Sequence, residues 1–211
     1  AGVCVAPLAF HHPILASVVK REEADEAGRR KLGRTQVEEL GLDNVLQILW
    51  GISKITPEIV LRKNVAIVDC AVIADAVDCY FSSLCAYAKH VAYSFWPRQS
   101  EYVFGTGTTF SSKFCIKCYN SVNLTRCFEV SDSNVCADCY FCHNCENVHD
   151  SMFCFNAKNL RYAIGNVEIG REKYLVIKKR ILAEFVNRLE KDRDIELDIY
   201  NIPCGGKTRK A

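Results

Sequence analysis

Residues 112–145 read SKFCIKCYNSVNLTRCFEVSDSNVCADCYFCHNC, and taking every third letter leaves Ser112, Cys115, Cys118, Ser121, Leu124, Cys127, Val130, Ser133, Cys136, Cys139, Cys142 and Cys145. None of these is charged, aromatic or an amide. The same phase extends from Ile67 to Ala163, thirty-three consecutive positions, and takes in all eleven cysteines between those limits. The other two phases carry the charges, amides and aromatic rings. A period of three is neither the 3.6 of a helix nor the 2 of a flat strand. It fits a narrow solenoid in which each short side of a coil sends one small side chain inward and stacked coils pair as parallel strands.

A second period sets the coil length. Tyr80, Phe104, Ile116, Phe128, Tyr140 and Met152 lie on a 12-residue grid broken by Ala92, and Asn120, Asp132, Asn144 and Asn156 lie on another. Twelve residues per coil means four inward side chains per coil and about eight coils. Asn and Asp suit a turn position, since they tolerate left-handed backbone and can stack in ladders. The predicted fold is mainly β: a tight parallel β-helix over 58–166, a helical N-terminal cap and charged linker over 1–57, and a C-terminal helix, short strand and basic tail over 167–211.

Outside the repeat, Pro13 suits the first turn of a helix through Ile14, Leu15, Val18 and Val19. The mixed-charge stretch Lys20 to Arg34 reads as a solvated helix face or linker. Thr35 is placed to cap a helix carrying Val37, Leu40, Val45, Leu49 and Ile52 on one stripe, and Thr56-Pro57-Glu58 reads as the start of another. Residues 171 to 193 form the clearest helix, with Tyr174, Ile177, Ile181, Leu182, Phe185 and Leu189 on one face. Asp194 to Tyr200 alternates as a half-buried strand does.

The spacing and the 12-residue coil resemble the tight β-helix of insect antifreeze proteins. The stretch Ser112 to Tyr174, with CIKC, CADCYFCHNC and the run Phe153-Cys154-Phe155-Asn156, also resembles Cys-rich β-helix repeat proteins of archaea and candidate-phylum bacteria. That resemblance implies the fold and carries no activity. An antifreeze role needs a flat Thr-x-Thr face, and only Thr106, Thr108 and Thr109 cluster here.

Composition narrows the function classes. The 211 residues carry a net charge of +2, with 49% hydrophobic and 25% charged residues, which excludes disorder and gives no electrostatic reason to expect nucleic acid. No apolar run approaches the roughly 20 residues that span a bilayer. Ala1 to Phe10 is apolar without a basic lead, so no signal peptide is expected and the location expected is cytoplasmic.

The run Cys136, Cys139, Cys142, Cys145 has the spacing of zinc sites and iron–sulfur cluster motifs. Four inward positions of one coil produce that spacing automatically, so small polarizable core residues are the first reading and no cofactor is called for. A zinc or iron–sulfur site is the alternative, and disulfides between cysteines six apart, 79/85, 136/142 and 139/145, are a third. His143 and His149 fall in outward phases, as do Asp69, Asp75 and Asp78, whose neighbouring sides are how carbohydrate-cleaving β-helices hold acids. No matching acid column continues beyond them. Gly105-Thr106-Gly107 reads as a coil corner. Outward aromatics are the strongest functional signal: Phe95, Trp96, Phe104 and Phe114 cannot enter the lumen and mark a surface for a protein partner or a second copy. The expectation is a non-enzymatic structural or interaction subunit.

Overall fold

In the computed structural model, residues 18–56 and 58–204 are described. Three short helices lead in: α1 (Arg21–Arg29), α2 (Arg34–Glu38) and α3 (Val45–Leu49). The chain then winds from β1 (Ile59–Leu61) and β2 (Val65–Val68) through stacked parallel strands to Ala163–Ile164, closes with the antiparallel strand Val167–Glu168, and ends in the long helix α4 (Arg171–Asp192).

The ladder has a twelve-residue step. Val65, Val77, Lys89, Glu101, Lys113, Thr125, Ala137, His149 and Arg161 form one column, so the solenoid has about nine turns. The first coil is one residue longer, since Ile59 pairs with Val72 and Val60 with Ile73. That insertion is why the three-residue phase begins only beyond it. From Ile73 to Ala157 every third residue is buried without exception, Pro97 included.

Each three-residue side bends at one residue in the left-handed region. From Asp75 to Tyr162 every third residue has positive φ, and only Gly105 among them is glycine. Asn120, Asp132, Asn144 and Asn156 sit at these corners as expected, with φ between 46° and 53°, and Asn144 Nδ2 donates to Asn156 Oδ1 at 2.8 Å. Aromatic residues occupy the same corners: Phe81, Tyr93, Trp96, Tyr102, Phe114, Phe141 and Phe153. A left-handed residue with a Cβ costs about 1–2 kcal/mol, so the closed ladder holds corners that local preference opposes. Two N–H groups per side bond to neighbouring coils, as Val77 N–H does to Ala88 O (3.0 Å) and Tyr87 N–H to Ala74 O (2.9 Å).

The third N–H of each side belongs to the inward residue and has no ladder partner. Serine one coil earlier supplies it. Ser82 Oγ accepts from Ser94 N–H, Ser112 Oγ from Leu124 N–H, Ser133 Oγ from Cys145 N–H and Ser151 Oγ from Ala163 N–H, at 3.0–3.2 Å. All four serines are at most 4% exposed, and each hydroxyl also donates to the carbonyl two residues before it. Inward cysteines act as donors instead: Cys115 Sγ to Lys113 O (3.3 Å), Cys118 Sγ to Cys127 O (3.6 Å) and Cys127 Sγ to Cys136 O (3.6 Å). Small size admits Ser and Cys to the lumen, and hydrogen bonding selects them over Ala.

α4 begins at Gly170 and lays Tyr174, Ile177, Ile181, Leu182 and Phe185 toward the solenoid, whereas Leu189, expected on that stripe, is 44% exposed. Four other expectations are corrected. Asp194 to Tyr200 keeps its alternating burial but pairs with no strand, because the sides of a closed coil offer no free edge. Instead Ile199 N–H donates to Glu129 Oε2 at 3.1 Å. The helix expected from Thr35 is two short ones: Gly33 is the N-cap, its N–H held by Gln36 Oε1 (2.9 Å), and the chain turns at Gly41, whose N–H donates to Asn44 Oδ1 (2.8 Å). After Thr56 comes no helix: Thr56 Oγ1 accepts from Glu58 N–H (3.2 Å), turning into β1. Val18, expected in a helix, pairs with Ile55; Pro13, Ile14, Leu15 and Pro57 lie outside the described residues, as do 205–211 of the basic tail.

Candidate interaction faces and the cysteine lumen

Cys136, Cys139, Cys142 and Cys145 sit on the four sides of one coil, each at most 2% exposed. Their thiols donate to backbone carbonyls: Cys139 Sγ to Val148 O (3.2 Å) and Ala137 O (3.3 Å), Cys145 Sγ to Cys154 O (3.4 Å), Cys136 Sγ to Asn134 O (3.4 Å) and Cys142 Sγ to Tyr140 O (3.5 Å). Among the described residues no group of three or more His, Cys, Asp or Glu side chains is placed to hold a metal ion. A hydrogen bond to Cys118 pushes the Cys115 thiol up to about 12, and one to Cys115 pushes Cys127 up to about 12, so both stay neutral near pH 7.

The twelve described cysteines are free thiols. Of the three pairs expected to face each other, Cys79 and Cys85 hydrogen-bond across their coil, which drives the Cys85 pKa upward. In the four-Cys coil the thiol contacts run between neighbouring sides, 136 to 139 and 142 to 145, and between coils, 127 to 139 and 142 to 154. This stack of thiols was visible in the sequence as a phase, but not as a hydrogen-bonded network.

The outward polar residues form surface pairs. Asp75 holds Arg62 (3.1 Å) and Asp78 holds His90 (3.0 Å). Ser131, His143 and Asp132 come together in a way the sequence did not foreshadow, with Ser131 Oγ 2.8 Å and Asp132 Oδ2 3.4 Å from His143. Both reach the same nitrogen, Nδ1, and Ser131 is fully buried. A catalytic triad needs the hydroxyl and the carboxylate on opposite ring nitrogens, so this trio lacks a proton relay.

Phe95, Trp96, Phe104 and Phe114 are 38%, 42%, 47% and 53% exposed. The structure distributes them over three edges rather than one patch. Phe95 and Trp96 meet edge to face, and Trp96 meets Phe110. Phe114 stacks on Tyr102 at 4.9 Å and 7°, and Tyr102 on His90 at 4.4 Å. Phe104 lies on an apolar strip that runs along the ladder.

That feature is one ladder column: Val68, Tyr80, Ala92, Phe104, Ile116, Phe128, Tyr140, Met152 and Ile164, in register throughout. Its C-terminal half is covered. Met152 is fully buried, Phe141 at the adjoining corner is stacked on Phe185 of α4 at 5.2 Å, and Lys178 of α4 lies over the Tyr140 ring at 4.8 Å. Its N-terminal half is open: Val68, Tyr80, Phe104 and Ile116 are all exposed, as are Phe81 and Tyr93 at the adjoining corner. Phe81 and Tyr93 stack at 5.9 Å and 28°.

The boundary is polar. Glu129, 1% exposed, pairs with Lys117 Nζ at 3.0 Å and receives the Ile199 N–H. Burial raises its carboxyl above the ordinary value against the opposing pull of those two partners. A raised folded pKa means that the folded chain holds this proton more tightly than the unfolded chain. The contribution to stability is therefore full below the unfolded carboxylate value and is lost as pH rises through the folded one. Glu129→Gln is expected to flatten that slope: in urea melts at acidic and neutral pH, wild type should gain more from acidification than the variant does. An identical slope in both would contradict the burial argument.

No family model matches the chain, and no curated protein matches it.

Proposed function

We propose that the protein is a non-enzymatic β-solenoid scaffold that docks a helix of a different chain on the open half of its apolar column. One observation carries this. The column is a single in-register strip, its C-terminal half already seats an amphipathic helix of the same chain, and its N-terminal half presents Tyr80, Phe104 and Ile116 with no described helix over them. Contiguous exposed apolar surface of this kind marks an interaction site, and an apolar groove takes a helix through residues spaced as those of α4 are. Twelve free thiols support a reducing compartment, in line with a cytoplasmic location. Among the described residues no helix is long and apolar enough to cross a membrane.

Apolar docking resists salt, whereas a charge-driven contact weakens in it. The protein recovered from its source is expected to carry a second, different chain in stoichiometric amount, retained in high salt and lost from the Phe104→Glu variant. Recovery without any such chain, or a complex indifferent to Phe104→Glu, overturns the docking reading.

A further inference from the structure

The two ends of the solenoid are built differently. At the C-terminal end Ala163–Ile164 is closed by the antiparallel strand Val167–Glu168, and the chain then leaves through Gly170 into α4. At the N-terminal end β1 and β2 are the terminal strands of their sheets, with no strand beyond them among the described residues. Their sequences, Ile-Val-Leu and Val-Ala-Ile-Val, have high β-propensity and no charge. Ile59, Val60, Leu61, Val65 and Val68 are between 41% and 60% exposed. The lumen is incompletely shut here as well: Ile67 and Cys70 are only half-buried and line an open depression with Lys20, Glu22, Glu58 and Asp69.

An open apolar edge of this kind pairs with another strand unless it is blunted by charge, proline or a covering segment. We propose that it pairs with the same edge of a second copy, giving a twofold end-to-end dimer joined through β2.

Two observations choose this occupant. Head-to-tail stacking would need a parallel edge at the C-terminal end, and the last strand there, Val167–Glu168, is two residues long and runs antiparallel to the ladder. The better match for the four-residue β2 edge is therefore the same edge of a second copy, and an isologous contact of that kind closes after two copies. Charge points the same way. The stretch 63–69 reads Lys-Asn-Val-Ala-Ile-Val-Asp, so antiparallel pairing with its copy brings Lys63 at one end toward the partner's oppositely charged end, twice over. Cross-strand pairs of opposite charge favour such a register and like charges oppose it. Arg62 is engaged by Asp75, while Lys63 and Asp69 are exposed and enter no ion pair with another described residue. A parallel arrangement would set Lys63 against Lys63 and Asp69 against Asp69.

The test uses the purified full-length chain alone, so that it is separate from the docking reading. Sedimentation at micromolar concentration is expected to give the mass of two chains. Lys63→Asp and Asp69→Lys should each weaken the dimer at least tenfold, the double exchange should restore it, and Val65→Lys should give single chains with an unchanged far-UV dichroism spectrum. Phe104→Glu should leave the dimer intact. A wild type that sediments as one chain overturns the proposal. So does a dimer that survives Val65→Lys and both single exchanges, or one that Phe104→Glu dissociates, which would assign self-association to the apolar column instead.

Discussion

Phe141→Ala is expected to be the most damaging single truncation in the chain, at about 3–5 kcal/mol. The ring is fully buried and is packed on three others: Phe128 at 5.3 Å edge to face, Phe153 at 5.4 Å and 16°, and Phe185 of α4 at 5.2 Å and 22°. Because Ala must take the same left-handed corner, φ 53°, the backbone strain stays while the packing that offsets it is lost. The loss falls at the junction of coil and helix, so α4 should loosen first. Limited proteolysis is expected to cut the variant within α4 before the solenoid opens, and urea melts should show the stability loss. A variant within about 1 kcal/mol of wild type would mean that α4 is held from elsewhere.

Ser121→Leu should come next, at about 2–6 kcal/mol. Overpacking a closed core costs about 1–3 kcal/mol, and leaving a buried N–H without an acceptor adds about 1–3 more. Ser121 is fully buried, its Oγ accepts from Ser133 N–H at 3.1 Å and donates to Tyr119 O at 2.7 Å. Ser121→Cys keeps the volume class and the donor to Tyr119 O and is expected to cost far less. Asp132→Ala, at an exposed corner where its carboxylate accepts from Asn120 at 3.4 Å, should cost about 1 kcal/mol, mostly from the poorer left-handed preference of Ala. Thermal melts of the three variants would rank them Leu, Ala, Cys at or near the bottom. Equal tolerance of Ser121→Leu and Asp132→Ala would contradict a filled lumen.

Much of the architecture could be read from particular residues. Cys115, Cys127 and Cys139 announce the inward phase because a lumen enclosed by three-residue sides excludes anything large or charged. Asn144 and Asn156 announce the corner because they tolerate left-handed backbone. The non-repeating parts were read less well. The stretch from Thr35 carries an apolar stripe that continues across Gly41 and so hides the turn there, while Asp194 to Tyr200 alternates as a strand does and becomes one only where a free strand edge is within reach.

The candidate site divides along the same line. The apolar column from Val68 to Ile164 was present as a 12-residue period, since stacking repeats any side chain at the interval of one coil. Which half of that column lies open was decided only by where α4 and the Ile199 contact come to rest, a matter of segments more than 60 residues apart meeting at Glu129. Phe95, Trp96, Phe104 and Phe114 were marked as outward by phase alone. Their separation onto three edges follows from the left-handed corner at every third residue, which turns the chain four times per coil. Sequence by itself determined the period, the lumen and the polarity of each position, because those depend on size and charge acting locally. The tertiary structure decided the corners and the coverage, because only a closed hydrogen-bonded ladder can hold Phe and Trp where an isolated chain would place Gly or Asn.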